Sequence, residues 1–217
     1  MQEIGADIVN EFLKLVRDRV NTEGDKKYKK ALFLSAYFYS VFESTGHEGV
    51  KRWTRGVDLR DVEDVYFPMC LQQRNHWVLV HLSLTLAANN VQTEAVFTLY
   101  DSLHMRSFLS DEWPKLQLLF KGWLLAEWNK FHATSTGMAL LGYPLFRVAS
   151  NAELPNQGST LDCALYTVRT IEALATGTPI DFRPANMKYL RLLMVKEVAT
   201  QQLHRKVTGE SGRNLVD

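Results

Sequence analysis

The chain has 217 residues, of which 46% are hydrophobic, and a formal net charge of +1. That is an ordinary globular composition, and the near-neutral balance argues against a nucleic-acid-binding surface or strong attraction to anionic lipid. Apolar runs such as Ala31 to Phe33 and Val78 to Val80 fall far short of the roughly 20 residues of a membrane span, and Met1-Gln2-Glu3-Ile4 lacks the basic-then-apolar pattern of a secretory leader.

In chain order, apolar residues at Ile8, Phe12, Leu15 and Val16 predict a helix over Asp7 to Val20, with Asp7 at the N-cap. Asn21 to Lys30 is polar and basic and reads as a solvated connection. Ala31 to Phe42 is apolar, aromatic and buried, of either secondary structure. His47 to Arg55 reads as a short helix carrying Trp53. Three strands follow: Val65 to Met69, ending near Pro68; Trp77 to Leu84; and Ala95 to Tyr100. The turn-forming Ala87-Ala88-Asn89-Asn90 joins the last two into a hairpin.

Trp113 to Lys130 is helical, with Pro114 tolerated in its first turn. Pro144 to Val148 is a short strand. The loop Ser150 to Asp162 feeds a helix from Cys163 to Ala175, which Gly177 stops. A last helix is expected from Pro184 to about Lys206, and Thr208 to Asp217 reads as a disordered tail. The layout is α+β, a small, mostly antiparallel central sheet flanked by helices. Residues 1–207 are expected to form one domain.

Two geometric inferences carry chemistry. His76 immediately precedes one hairpin strand and Asp101 immediately follows the other. Antiparallel pairing therefore brings an imidazole and a carboxylate to the same end of the sheet, the base and orienter that nucleophilic catalysis requires. Cys163 opens a helix after a polar loop, where the dipole and free N–H groups favour a thiolate. Each residue also has an ordinary reading: a packed thiol, a packed or surface imidazole, a turn carboxylate. With only Cys70 and Cys163 in the chain, a disulfide framework is not expected. The reducing cytosol or nucleus is the expected setting.

The ordered set of motifs decides between these readings. Val50-Lys51-Arg52-Trp53-Thr54-Arg55, Asn75-His76-Trp77, Tyr100-Asp101-Ser102, Pro155-Asn156-Gln157 to Asp162-Cys163, Thr178-Pro179-Ile180-Asp181-Phe182, and Met187-Lys188-Tyr189-Leu190 with Met194-Val195 resemble the SUMO-specific cysteine proteases, the sentrin-specific protease family. The likeness spans Ile4 to about Lys206. It implies a papain-like, adenain-like protease fold with the nucleophile at the N-terminus of a helix, and cleavage after the C-terminal Gly-Gly of a ubiquitin-like modifier. SUMO is the first choice, with NEDD8 and ubiquitin open. It further implies Cys163 as nucleophile, His76 as base, Asp101 as orienter, and Gln157 with the Cys163 backbone N–H as oxyanion donors. Trp77 would wall a narrow tunnel over the glycines. Asp7 would meet a basic residue of the modifier, or act only as a helix cap. No cofactor or metal is implied, and a monomer is expected.

The sequence departs from the family pattern at three places. Ala164 follows the nucleophile where glycine is usual; it is costly if the backbone there needs positive φ and harmless if it is simply helical. Ser159-Thr160 replaces the usual Asn-Gly. The second tunnel tryptophan falls at Ile4. These mark a divergent member, of a kind found in protists, plants, transposons and bacteria that deliver effectors into host cells. Two other classes stay open: acetyl transfer by the same Cys–His–acid set, for which the basic run Lys26-Lys27-Tyr28-Lys29-Lys30 is the one cluster, and a non-catalytic module that holds the modifier. His81 is expected to be satisfied within the fold, Cys70 to be an inert buried thiol, and Trp53, Trp113, Trp123 and Trp128 to be packing residues.

Overall fold

Strand alternation sets the centre of the molecule. The computed structural model describes residues 3–22, 30–88, 92–132 and 140–204. In chain order the elements are α1 (Ala6–Thr22), β1 (Ala31–Phe33), α2 (Phe38–Val50), β2 (Asp64–Leu71), β3 (His76–Leu86), β4 (Gln92–Tyr100), α3 (Arg106–Asp111), α4 (Trp113–His132), β5 (Leu140–Leu141), β6 (Leu145–Val148), α5 (Cys163–Thr176) and α6 (Met187–Thr200). They form a six-stranded sheet in the order β1-β2-β3-β4, with β5 and β6 both pairing β4. The long central pairs β2–β3 and β3–β4 are antiparallel, while β1, β5 and β6 add parallel edges.

Because side chains alternate between faces, each strand contributes to two cores. Val65, Phe67, Met69, Val78, Val80, Leu82, Phe97 and Leu99 pack against α2 and α4. Tyr66, Trp77, Leu79 and Tyr100 pack on the opposite face among residues of α1, α5 and α6. The first core is strongly aromatic, with Phe67 edge-on to both Phe120 and Trp123 at 5.0 Å between ring centroids.

The structure corrects several expected boundaries. β2 does not stop near Pro68 but runs on to Leu71. The Leu34 N–H bonds the Tyr66 carbonyl (3.0 Å), so Tyr66, and by the period of two Pro68, turn their backbone polar groups toward the β1 side. The β1 register ends at Phe33 opposite Tyr66; the proline lacks a donor only where no strand would take it. The short helix around Trp53 is instead the end of α2, which kinks at Gly46 (φ 66°, ψ −164°) and finishes at Val50; Trp53 lies in the turns that follow.

The last helix is broken into a single 3-10 turn, Pro184–Asn186, and α6, which ends at Thr200 with Gln201 left-handed at its C-cap. α3 was not foreseen. α1 begins at Ala6, so Asp7 sits in its first turn and not at the cap. Asn89, Asn90, most of the basic run and the C-terminal tail lie outside the described residues. Among the described residues no helix is long and apolar enough to cross a membrane.

Candidate active site

The β3–β4 register runs down to Leu79 opposite Tyr100. The chain enters β3 at His76 and leaves β4 at Asp101, and the two side chains meet as the hairpin requires: His76 Nε2 lies 2.8 Å from Asp101 Oδ1. The carboxylate is itself held by the backbone, accepting from the N–H of Leu103 (2.9 Å) and of Met105 (2.8 Å) in the turn beyond the strand. Both side chains are almost wholly buried. Burial alone would raise the Asp101 pKa, but the His76 bond and the two N–H donors hold it below the ordinary carboxylate range.

Across from this pair stands Cys163, the first residue of α5, whose sulfur lies near enough to the His76 ring to raise its pKa. With Nε2 committed to Asp101, Nδ1 is the nitrogen left for sulfur. Burial works against an imidazolium here, yet the Asp101 hydrogen bond and the neighbouring Cys163 sulfur outweigh it and push the His76 pKa up to about 9. The ring therefore carries its proton at neutral pH, beside the sulfur. Three residues remote in the chain thus converge at one end of the sheet.

Gln157 lies in the loop leading to Cys163 and is buried. Its Oε1 accepts from the Ser102 hydroxyl (2.5 Å), and its Nε2 donates to the Thr160 carbonyl (2.7 Å). The carbonyl partner fixes the amide orientation, because the reverse placement would oppose two acceptors. One N–H of the amide is spent on Thr160; the other is uncommitted by either bond. The backbone repeats the stitch, the Gln157 N–H meeting the Ser102 carbonyl at 2.8 Å. Thr160 closes the loop with its hydroxyl on the Gln157 carbonyl (3.1 Å), and Gly158 supplies a left-handed φ of 68°. Ser159-Thr160 therefore shapes the loop by side-chain and carbonyl contacts of its own. Ala164 is helical and absent from the positive-φ positions, so its methyl carries no backbone strain.

Ser102 is a residue that sequence reasoning passed over. Its signal lay in the Tyr100-Asp101-Ser102 run, but nothing local shows that the hydroxyl reaches across 55 residues. Asp162 and Arg191 were passed over too. Asp162 occupies the N-cap of α5 without capping it; its Oδ1 instead accepts from Arg191 of α6 at 2.5 Å (Nη2) and 3.2 Å (Nε).

A cleft of about 620 Å³ opens nearby, lined by Glu3, Ile4, Gly5, Trp77, Cys70 and Leu161 among others. Trp77 is 6% exposed and belongs to the α5-side core, so it is both a packing aromatic and a wall of the cleft. Ile4 also lines the cleft. Asp7 is not among the lining residues; its carboxylate accepts from the Tyr37 hydroxyl (2.6 Å), and Tyr37 does line the cleft. Cys70 is half-buried at the cleft wall and not deeply packed, and burial, then the nearby Cys163, push its thiol pKa up. His81 bonds Asp64 at 2.7 Å and stacks on Tyr66, as a satisfied interior imidazole.

The chain is similar to a sentrin-specific protease of Caenorhabditis elegans, 29% identical over 91% of this chain, and to sentrin-specific protease 2 of Rattus norvegicus, 27% identical over 91%. It covers 25% and 30% of those two proteins, so it spans between a quarter and a third of their length. Among solved structures, the C-terminal Ulp1 protease domain in complex with Smt3, the yeast ortholog of SUMO, superposes with a TM-score of 0.60 at 17% identity, covering 92% of this chain and 77% of that one. The SUMO protease Ulp1 with its catalytic cysteine oxidised to a sulfinic acid gives 0.60 at 17%, covering 92% and 78%. At that identity the likeness establishes the fold. A model described as the Ulp1 protease family, C-terminal catalytic domain, matches residues 2–205, and the chain belongs to that family.

Proposed function

We propose that this chain is a thiol-dependent protease and isopeptidase that cleaves after the C-terminal Gly-Gly of a ubiquitin-like modifier, SUMO first among them. The observation that carries the reading is the His76–Asp101 hydrogen bond formed beside a thiol at the head of a helix. Family membership and the names of the relatives support the substrate class. Residues 1–207 act as one catalytic domain, in the cytosol or nucleus.

In this reading the Cys163 proton passes to His76, whose raised pKa lets it hold that proton at neutral pH. Asp101 keeps the imidazole in one tautomer and stabilises its cation. The sulfur attacks the carbonyl carbon of the last glycine, a C–S bond forms, and the oxygen becomes an oxyanion. The uncommitted N–H of Gln157 and the backbone N–H of Cys163 receive that charge; losing one such donor typically costs about 3–4 kcal/mol of transition-state stabilisation. Collapse expels the amine with the His76 proton and leaves a thioester. A water that gives its proton to His76 hydrolyses the thioester, releasing the glycine carboxylate and the thiol. Trp77 and Ile4, facing the cleft, confine the extended tail, so that residues without a Cβ are favoured by exclusion. Asp7, whose exposed carboxylate accepts from the cleft-lining Tyr37, meets a basic residue of the modifier.

The test is covalent capture. SUMO, NEDD8 and ubiquitin, each tipped with a C-terminal electrophile, are incubated with the chain and the adduct is mapped by mass spectrometry. SUMO is expected to react fastest, on Cys163, and Cys163→Ala to abolish both capture and hydrolysis of a SUMO C-terminal amide. Capture of none of the three, or an adduct on another residue, refutes the reading.

A further inference from the structure

We propose that Arg191 of α6 is a positioning residue for the reaction: it draws the Asp162 carboxylate off the N-terminus of α5 and so keeps that end of the helix free for the charge that develops at Cys163. The inference rests on the protease reading and adds to it a residue distant in sequence.

Aspartate is among the strongest N-caps, because its carboxylate accepts from the second or third N–H of the helix. Asp162 stands at that cap of α5, yet its side chain makes no cap hydrogen bond. It is buried and turned to Arg191, whose Nη2 and Nε reach its Oδ1 at 2.5 and 3.2 Å; Nη2 also lies 3.0 Å from the Leu161 carbonyl. The guanidinium thus grips two consecutive residues just ahead of the nucleophile. The first hydrogen bond of α5 runs from the Tyr166 N–H to the Asp162 carbonyl (2.9 Å). The N–H groups of Cys163, Ala164 and Leu165 precede that bond. They make up the positive end of the helix dipole.

A carboxylate capping Ala164 or Leu165 would place a full negative charge where sulfur and oxyanion carry theirs, and would consume the donors that favour both. Ordinary capping chemistry is therefore suspended at the one helix end where it would oppose catalysis. The ion pair both neutralises the charge and holds it away. Arg191 acts through the Asp162 carboxylate beside the nucleophile, so its effect is expected on turnover more than on binding.

The experiment compares the whole chain as wild type, Arg191→Ala, Asp162→Ala and the double variant, each checked by thermal melting. Two quantities are read: kcat and KM on a SUMO C-terminal amide, and the rate at which iodoacetamide modifies Cys163 at neutral pH, scored on the Cys163 peptide. Arg191→Ala is expected to lower kcat by about 10- to 100-fold, less than the roughly 10²- to 10³-fold lost with a direct oxyanion donor, with KM changed less than about twofold, and to slow alkylation several-fold. In the double variant no carboxylate remains to cap the helix, and kcat and the alkylation rate are both expected to return most of the way to the wild-type values. A double variant no faster than Arg191→Ala would show a merely structural arginine and overturn the proposal, as would unaltered alkylation in Arg191→Ala. Should Arg191→Ala not fold, Arg191→Gln with and without Asp162→Ala gives the same comparison. Alkylation requires no modifier, so this result stands even if the substrate named above is wrong. Failure of the wild type to turn over any modifier refutes the protease reading alone.

Discussion

His76 carries its proton because Asp101 and the sulfur together overcome the penalty of burial. The sign of the linkage follows. A pKa raised from 6.5 to about 9 stabilises the fold fully below 6.5, and that contribution is lost as pH rises through 9. The depressed Asp101 value acts at the other end: its contribution is present above the ordinary value of 3.8 and is lost as pH falls through the lower folded value. The pair therefore supports the fold most between about 4 and 6.5. In the proposed mechanism the imidazolium is the acid that protonates the leaving amine, so kcat/KM is expected to fall as pH passes about 9. Asp101→Asn removes the group that sustains the high value. It should move that alkaline limb toward 6.5 and lower kcat by about 10²- to 10⁴-fold. A profile recorded from pH 5 to 10 whose limb stays in place in the variant would exclude Asp101 as the partner that sets it.

At the scale of elements, the kink in α2 has a specific cause. Gly46 holds φ 66° and ψ −164°, a region that side chains rarely adopt, while a Cβ there would meet nothing within 4 Å. The cost of Gly46→Ala is then backbone strain alone, about 1–3 kcal/mol, read as a lower urea midpoint with an unchanged slope. A variant as stable as wild type would mean that α2 straightens without loss.

This kink also marks the limit of the sequence reading. The hairpin and its parity were legible, since alternation from Trp77 to Leu84 and from Ala95 to Tyr100 specifies both the faces and the end at which His76 and Asp101 meet. The helix behind Cys163 was legible from its apolar spacing and from Gly177. The run of β2 through Pro68 was not, because whether a proline ends a strand depends on which neighbour its missing N–H would face. Nor was the Asp162–Arg191 bond, which spans 29 residues and reverses what an N-cap aspartate does by default. The roles proposed for Gln157 and Trp77 came through family likeness; spacing alone does not specify an amide held by Ser102 and Thr160 or an indole shared between core and cleft.

On the scale of the whole molecule, a buried ionic knot ties the three helices of the catalytic face together. Arg169 of α5 bonds Glu172 at 2.7 Å and Glu197 of α6 at 2.6 Å, and its guanidinium lies 4.7 Å from the Phe12 ring of α1. Glu197 also accepts from the His204 backbone N–H at 3.0 Å. Such a pair adds little over a well-packed apolar substitute, but breaking it strands a buried charge. Glu197→Ala is expected to lower unfolding free energy by about 3–5 kcal/mol, measured by denaturant titration. A loss below about 1 kcal/mol would mean that Glu172 alone satisfies the arginine.

The proline inside β2 has one last effect. β1 pairs only the first part of that strand, yet Pro68 beyond it is buried, and a buried backbone N–H without a partner is costly. Because a proline has no N–H to leave unmet, Pro68 lets the strand continue under cover where no neighbouring strand completes the ladder.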